Sequence, residues 1–141
     1  MSVMQVEMIS NEYNIYSGEA SFAVVPTVQG ELGIYPRHEP IMSLVRPGAL
    51  RLQVPGTSEE VLVAVSGGVL EVQPDKLTVL ADVAVRSSEM DQARAEEAKK
   101  AAESRIAQAA DDESLAKAHA ALAAAIAELK TLDYIRSQRH K

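Results

Sequence analysis

Short apolar runs separated by turn residues fill the first part of the chain. They include MQVEM, SFAVV, ALRLQV, EVLVAV, GVLEV and KLTVLADVAV. Because side chains alternate between the two faces of a strand, Met4, Val6 and Met8 fall on a single face. Many short strands at this spacing are typical of a sandwich or a barrel, so we predict an all-β fold for this part of the chain.

The pattern changes after Arg86. Between residues 87 and 129 there are 16 alanines, accompanied mainly by glutamate and lysine, and all three are strong helix formers. All seven glycines and all six prolines lie at or before Pro74. The sequence therefore predicts two architectures in one chain, a β domain at 1–86 and a helical domain at 87–141.

The helical part divides into two segments. Ser88 followed by Asp91 fits a capping box, which predicts a first helix from about Glu89 to Ala109. The sequence DDES then supplies a break and a new cap at Asp112. Two helices joined by so short a break predict an antiparallel hairpin.

The second helix carries a seven-residue repeat of leucine at Leu115, Leu122 and Leu129. The rest of the apolar surface is mostly alanine, which buries far less area than leucine; each buried methylene is worth roughly 0.8 kcal/mol. Such a hairpin needs another surface to pack on, and the free energy required to leave that surface is modest. Two interpretations stay open: a moving element, or a hairpin packed permanently against the β domain.

Composition limits the function classes. The chain has 141 residues and no cysteine, so disulfides, thiolate nucleophiles and cysteine-ligated metals are excluded and a reducing compartment is expected. The net charge of −6 argues against a nucleic-acid binder, which needs a basic stripe. We find no secretory leader pattern and no apolar run near the roughly 18 residues that a spanning helix requires, so we expect no direct membrane insertion.

The charge is unevenly distributed along the chain. Residues 1–86 carry −5 and residues 87–129 carry −4, whereas residues 130–141 carry +3. The bases of this tail are Lys130, Arg136, Arg139 and Lys141. Cations at the end of a helix complement its dipole, so a solvated helix terminus explains them. Docking to an acidic partner explains them equally well.

The stretch GELGIYPRHEP, residues 30–40, combines glycines, prolines and charges. Pro36 and Pro40 fix the backbone on either side of Arg37 and His38, which predicts a stiff, exposed loop. Catalysis at His38 would need a nucleophile, a second carboxylate or a metal set nearby, and the other two histidines lie in the helical part. We therefore interpret this loop as a docking surface.

Two blocks carry a family resemblance: GELGIYPRHEPIMSLVRPGALRL, then SGGVLEVQPDKLTVLADVAVR, followed by the alanine-rich hairpin. Together they resemble the epsilon subunits of bacterial rotary F-type ATP synthases, over essentially the whole chain. The resemblance implies an α+β protein in which a flattened N-terminal β-sandwich of about ten short strands precedes a C-terminal antiparallel two-helix hairpin.

The same resemblance implies a function. Family members form part of the central stalk and bind the gamma subunit and the polar loops of the c-ring. They perform no chemistry themselves, couple proton-driven rotation to catalysis and inhibit ATP hydrolysis when the hairpin extends towards the alpha and beta subunits. It further implies a peripheral location on the cytoplasmic face of the bacterial inner membrane.

Individual residues also match the family. Glu31 and His38 match positions associated with gamma or c-ring contacts, and we add the neighbouring Arg37 to this predicted surface. From the tail, Lys130, Arg136 and Arg139 are predicted to approach acidic loops of the beta subunits when the hairpin extends.

A further match concerns nucleotide. Asp91, Arg94 and Ala95 fit the D-x-x-R-A element with which some bacterial members bind ATP, and a positioned arginine suits a phosphate. On the second helix, Ala124 and Glu128 stand where such members carry arginines. We therefore expect no resident cofactor and at most weak regulatory ATP binding.

Without the resemblance, the residues leave a second class open. An independent adaptor that joins a β-sandwich to a helical hairpin would show the same patterns. A hydrolase or metal enzyme is a more distant third class. Capture of a gamma subunit in a defined ratio separates the stalk subunit from the adaptor.

Overall fold

The computed structural model describes residues 2–10 and 13–139. Within them ten strands come first: β1 (Met4–Ser10), β2 (Tyr13–Ala20), β3 (Phe22–Thr27), β4 (Gly30–Ile34), β5 (Ile41–Val45), β6 (Gly48–Gln53), β7 (Glu60–Val65), β8 (Gly68–Val72), β9 (Lys76–Ala81) and β10 (Ala84–Arg86). A 3₁₀ turn at Ser87–Glu89 leads to two helices, α1 (Gln92–Gln108) and α2 (Asp112–Arg139). This order confirms the predicted α+β class with about ten short strands and a helical hairpin.

The strands form one sheet that folds over itself. Its order is β10-β7-β6-β3-β5-β8-β9-β1-β2, with β4 paired to β3 beside this path. The pairing of β1 with β9 is parallel and the other pairs are antiparallel. The first part of β3 pairs with β6, whereas its last residue, Thr27, pairs with Val45 of β5. The sheet therefore passes from one layer to the other at β3, as at the corner of a sandwich.

The core lies between these layers and is built by strand alternation. Met4, Val6 and Met8 of β1 are all at most 2% exposed, which confirms the predicted inward face. Leu50 and Leu52 of β6 are fully buried as well. Full burial of an aliphatic side chain of this size stabilises by roughly 1.5–3 kcal/mol, so the sandwich holds most of the apolar stabilisation.

The connection between β7 and β8 requires glycine. Gly67 has φ 140° and Gly68 has φ 139°, a backbone region that side chains with a Cβ rarely adopt. A Cβ on Gly68 would also collide with the backbone of Leu80. Two consecutive glycines therefore let β8 approach β9 closely enough to pair.

The start of α1 differs from the prediction. The capping residue is Asp91, whose side chain accepts a hydrogen bond from the Arg94 amide at 3.1 Å. Ser88 instead lies in the 3₁₀ turn, and Met90 after it is extended. The predicted cap at Ser88 and start at Glu89 are therefore wrong, because this turn and the extended residue delay the helix until a side chain can reach a free first-turn amide.

The break between the helices is confirmed, but its cap is displaced by one residue. Asp111, and not Asp112, accepts from the Ser114 amide at 2.7 Å. Hydrogen bonds from the Ser114 amide and hydroxyl lower the pKa of Asp111. The predicted cap was wrong because Asp112 is already the first residue of α2, and a capping side chain must come from the residue before it.

The hairpin packs α1 on α2, and α2 on β6 and β7. The buried apolar residues of the described part of the hairpin are alanines: Ala95, Ala102, Ala118, Ala125 and Ala127. The leucines of the seven-residue repeat are only half-buried. Small side chains thus occupy the centre of the helix interface and leucines its margins. Neither described helix is long and apolar enough to cross a membrane.

Candidate partner-binding surfaces

A polar network connects Glu31 to the hairpin. Arg51 of β6 lies between Glu31 of β4 and Tyr134 of α2. Its Nη2 is 3.4 Å from Oε2 of Glu31, and its Nη1 donates to the Tyr134 hydroxyl at 2.8 Å. The guanidinium carbon lies 4.6 Å from the centroid of the Tyr134 ring, within the range of a cation–π contact. The Tyr134 hydroxyl in turn donates to Oε1 of Glu60 at 3.0 Å.

A cleft of about 400 Å³ opens beside this network, between the sandwich and α2. It is lined by Pro26, Glu31, Arg46, Pro47, Gly48, Ala49, Arg51, Lys130 and Tyr134. Lys130 reaches the Pro47 carbonyl at 3.5 Å. Of the predicted site residues, the structure therefore brings Glu31 and Lys130 to the same cleft, although they are 99 positions apart in the sequence.

The loop that follows β4 contacts the turn between β8 and β9 and lies apart from the network of Glu31 and Arg51. Arg37 has φ 70°, an uncommon value for a residue with a Cβ, and its amide donates to the Pro74 carbonyl at 2.6 Å. His38 is half-buried, and its Nδ1 lies 2.7 Å from the Glu39 carbonyl. The turn between β8 and β9 thus anchors Arg37, whereas Glu31 contacts β6. A common partner surface for the three residues stays a prediction.

The nucleotide motif lies at the start of α1. Asp91 caps the helix, Arg94 is exposed, and Ala95 is 1% exposed. Burial raises the pKa of Glu128 on α2, and the nearby charge of Arg94 opposes this rise. The capping role of Asp91 is therefore observed, and Glu128 places a carboxylate near Arg94. ATP binding stays a prediction.

Two of the tail bases, Lys130 and Arg136, have partners within the chain. Arg136 donates from Nη2 to Oε1 of Gln92 at 3.1 Å and lies 3.8 Å from a carboxylate oxygen of Asp133. Arg139 is the last residue of α2, and Lys141 lies outside the described residues. Movement of α2 away from the sandwich would break the Lys130 contact to Pro47, whereas the Arg136 contacts to Gln92 and Asp133 lie within the hairpin.

Sequence reasoning missed an apolar row on the outer face of the sandwich. Leu44 of β5 pairs with Val69 of β8, which pairs with Leu80 of β9, which pairs with Ile9 of β1. Leu44 is 58% exposed and Leu80 is 52% exposed, and Met42, two residues before Leu44, is 68% exposed. The signal was available, because IMSLV and KLTVL place large apolar residues on both faces of a strand. Exposed apolar side chains in one row are typical of a protein–protein contact.

Two family models match the chain. The ATP synthase delta/epsilon chain β-sandwich domain matches residues 3–87, and the delta/epsilon chain long α-helix domain matches residues 88–138. The fold is thus that of a delta/epsilon-type chain of ATP synthase.

Curated relatives refine this class. The ATP synthase epsilon chain of Neisseria meningitidis serogroup C / serotype 2a is 84% identical over 139 residues, which cover 99% of both chains. That of Neisseria gonorrhoeae is 81% identical over 99% of both chains, and that of Chromobacterium violaceum is 61% identical over 99% of this chain and 100% of the relative. The chain therefore belongs to the ATP synthase epsilon chain family, which confirms the resemblance drawn from the sequence.

A solved structure shares the fold. The cryo-EM structure of the Euglena gracilis mitochondrial ATP synthase, OSCP/F1/c-ring in rotational state 1, contains a chain that superimposes with a TM-score of 0.71. The match covers 95% of this chain and 81% of that chain at 18% identity. At this identity the comparison shows a shared fold.

Proposed function

We propose that this chain is a non-catalytic stalk subunit of a proton-translocating ATP synthase that couples c-ring rotation to the catalytic core. The observation that carries the proposal is the outer apolar row that includes Leu44 and Leu80, on a chain of the epsilon family. These side chains are more than half exposed, and burying the exposed part of each against a partner would stabilise a complex by roughly 1 kcal/mol. The gamma subunit is the partner proposed for this face.

The remaining surfaces receive the other partners. The loop with Arg37 and His38 and the strand with Glu31 are proposed to contact gamma and the polar loops of the c-ring. The prolines around the loop and the bond from the Arg37 amide to Pro74 hold it stiff, as a coupling that transmits torque requires. The complex would place the chain peripherally on the cytoplasmic face of the bacterial inner membrane.

The hairpin is proposed to act as a brake on ATP hydrolysis. It contacts the sandwich through an interface poor in large buried side chains, so undocking costs little. When extended it would reach the alpha and beta subunits, where Lys130, Arg136 and Arg139 meet acidic loops and the half-buried apolar residues of α2 find new contacts. Weak regulatory ATP binding through Asp91 and Arg94 belongs to the same proposal.

Capture of the cognate gamma subunit tests the proposed docking face. Leu44→Glu combined with Leu80→Glu should weaken capture by at least about tenfold, since each 1.4 kcal/mol lost is a factor of ten. Ser58→Glu is the control for each single Leu→Glu substitution, because it adds one negative charge at an exposed position in the turn between β6 and β7. Circular dichroism establishes that the variants stay folded. Unchanged capture by the double variant contradicts the assignment of this face.

The brake is tested separately in the assembled core. A chain ending at Ser87 should retain gamma capture and proton coupling while ATP hydrolysis rises. Neutralising the tail bases should give part of that rise, more clearly at low salt, because attraction between exposed charges is screened. Equal hydrolysis rates for full-length and truncated chains, in assemblies shown to contain each, would falsify the brake.

A further inference from the structure

We infer that Arg51 is a positioning residue that couples docking of the hairpin to the surface at Glu31, so that a cationic partner group bound to Glu31 loosens the hairpin. This inference rests on the proposed function, because it requires a hairpin that docks and undocks. It assigns to Glu31 a second role inside the chain.

The geometry lets Arg51 hold both neighbours at once. Its two terminal nitrogens are used separately, one by Glu31 at 3.4 Å and the other by the Tyr134 hydroxyl at 2.8 Å. The contact to Glu31 therefore does not compete with the contact to Tyr134. It restricts the guanidinium to the position from which the other nitrogen reaches α2.

The charges around the guanidinium favour the docked state. The Arg51 side chain is 27% exposed and lies against the Tyr134 ring, so docking removes part of its hydration. Glu31 lies on one side of the network and Glu60 on the other, and these carboxylates offset the cost of covering a cation. Tyr134 is the member that belongs to the hairpin, while Glu31, Arg51 and Glu60 belong to the sandwich.

The network of Glu31, Arg51, Tyr134 and Glu60 contributes to docking of the hairpin on the sandwich. The fully buried apolar residues of the described hairpin are alanines and its leucines are only half-buried, so charge-assisted contacts add a sizeable share to a modest apolar contribution. Removing Glu31 as a counter-charge should therefore shift the docking equilibrium measurably.

The coupling to a partner follows from exposure. The Glu31 side chain is 59% exposed, so an external cation reaches its carboxylate while the hairpin is docked. Such a cation weakens the attraction between Glu31 and Arg51, and this in turn weakens the contact between Arg51 and Tyr134. By reciprocity, undocking of the hairpin strengthens the binding of the same cation to Glu31.

The test is a double-mutant cycle on the isolated full-length chain, which needs no partner protein. The chain has no native cysteine, so labels at Ser58→Cys in the sandwich and Ala110→Cys at the hairpin tip report docked and undocked populations by distance. Glu31→Gln and Tyr134→Phe remove one charge and one hydroxyl while keeping shape. Glu39→Gln is the matched control, an exposed carboxylate outside this network.

Each single variant should lower the docked-to-undocked ratio by about two- to fivefold, the range expected for a partly exposed charge contact. Together they should lower it by less than the product of the two effects, because both act through Arg51. In an Arg51→Gln background Glu31→Gln should have no effect. Glu31→Lys, which places a cation beside Arg51, should loosen the hairpin more than Glu31→Gln does. The control should leave the ratio unchanged.

Independent effects of Glu31→Gln and Tyr134→Phe, or an effect of Glu31→Gln that persists without Arg51, overturn the inference and leave the proposed function standing. A hairpin that stays docked in every variant, Glu31→Lys included, contradicts the moving hairpin itself and removes both this inference and the proposed brake, while gamma capture still decides the proposed stalk role.

Discussion

The two parts of this chain are stabilised in different ways. In the sandwich, side chains as large as Leu50, Leu70 and Leu77 are completely buried. In the described hairpin, the buried apolar residues are alanines, and the contacts to the sandwich include an arginine, a tyrosine and a lysine. A core of large side chains stabilises its own domain, whereas a small-residue interface depends on the surface beneath it. The comparison supports the proposed combination of a rigid docking domain with a releasable hairpin.

The largest expected difference appears when the two parts are separated. A fragment of residues 1–86 should unfold in one cooperative transition, because its sheet closes over its own core. A fragment of residues 87–141 should show partial helix without a cooperative transition, since tertiary packing supplies most helical stability. Thermal melting followed by circular dichroism measures both. A first fragment without a cooperative melt contradicts this comparison.

A single truncation in the sandwich core should remove a large part of the free energy of unfolding that a small domain has. Leu50→Ala removes a fully buried side chain and should lower the free energy of unfolding by about 3 kcal/mol. Leu122→Ala, at a half-buried position of α2, should cost less than half of that. Urea titrations of the full chain decide this. Equal losses of free energy of unfolding in Leu50→Ala and Leu122→Ala would contradict the difference between the sandwich core and the hairpin interface.

Enlarging a small residue tests the close approach of the helices. Ala102 is 1% exposed at the interface of α1 and α2, and Ala102→Leu should destabilise the hairpin by about 2 kcal/mol because the helices must move apart. Ala101→Leu is the control, since Ala101 on the same helix is exposed. Loss of helical signal on heating should come earlier only in the first variant.

The cap of α1 gives a smaller effect. Asp91→Ala removes the bond to the Arg94 amide and should cost about 1 kcal/mol. Ser88→Ala should be close to neutral, because Ser88 lies in the 3₁₀ turn before the helix. Melting of the helical signal distinguishes the two variants. A larger loss for Ser88→Ala would restore the cap that the sequence predicted.

The smallest effect is a pH dependence at Glu128. Burial raises the pKa of Glu128 in the folded chain above its ordinary value, so the folded state binds this proton more tightly than the unfolded state. The contribution of Glu128 to stability is therefore most favourable at acidic pH and falls as the pH rises through the pKa of Glu128. Glu128→Gln should be slightly stabilising at neutral pH and neutral in effect at acidic pH, in paired melts. A destabilised variant at neutral pH would mean that attraction to Arg94 outweighs burial.

The fold was predictable because its signals are local. Alternation in β1 places Met4, Val6 and Met8 inside, and the loss of glycine and proline after Pro74 separates strands from helices. The helix caps were predicted one to three residues away from their true positions. Several polar residues satisfy the same spacing rule at a helix start, and only the backbone path selects which of them faces a free amide.

The candidate surfaces were predictable in part. Family resemblance indicated Glu31 and His38, and the charge distribution indicated the tail bases. Neither indicated that Glu31 and Lys130 line one cleft or that Arg51 connects Glu31 to Tyr134. The apolar row was missed because its members come from four strands. Each member looks like an ordinary strand residue until the register places the four side by side.

The sequence by itself determined what depends on neighbours along the chain: the two architectures, the inward faces of the strands, the break between the helices and the family. Tertiary structure alone decided which surfaces meet, namely the outer row from Leu44 to Ile9, the anchoring of Arg37 at Pro74 and the network that ties α2 to Glu31. The physical reason is range. Periodicity and capping act over a few residues, whereas sheet register and hairpin docking join residues up to about a hundred positions apart through contacts that no short pattern encodes.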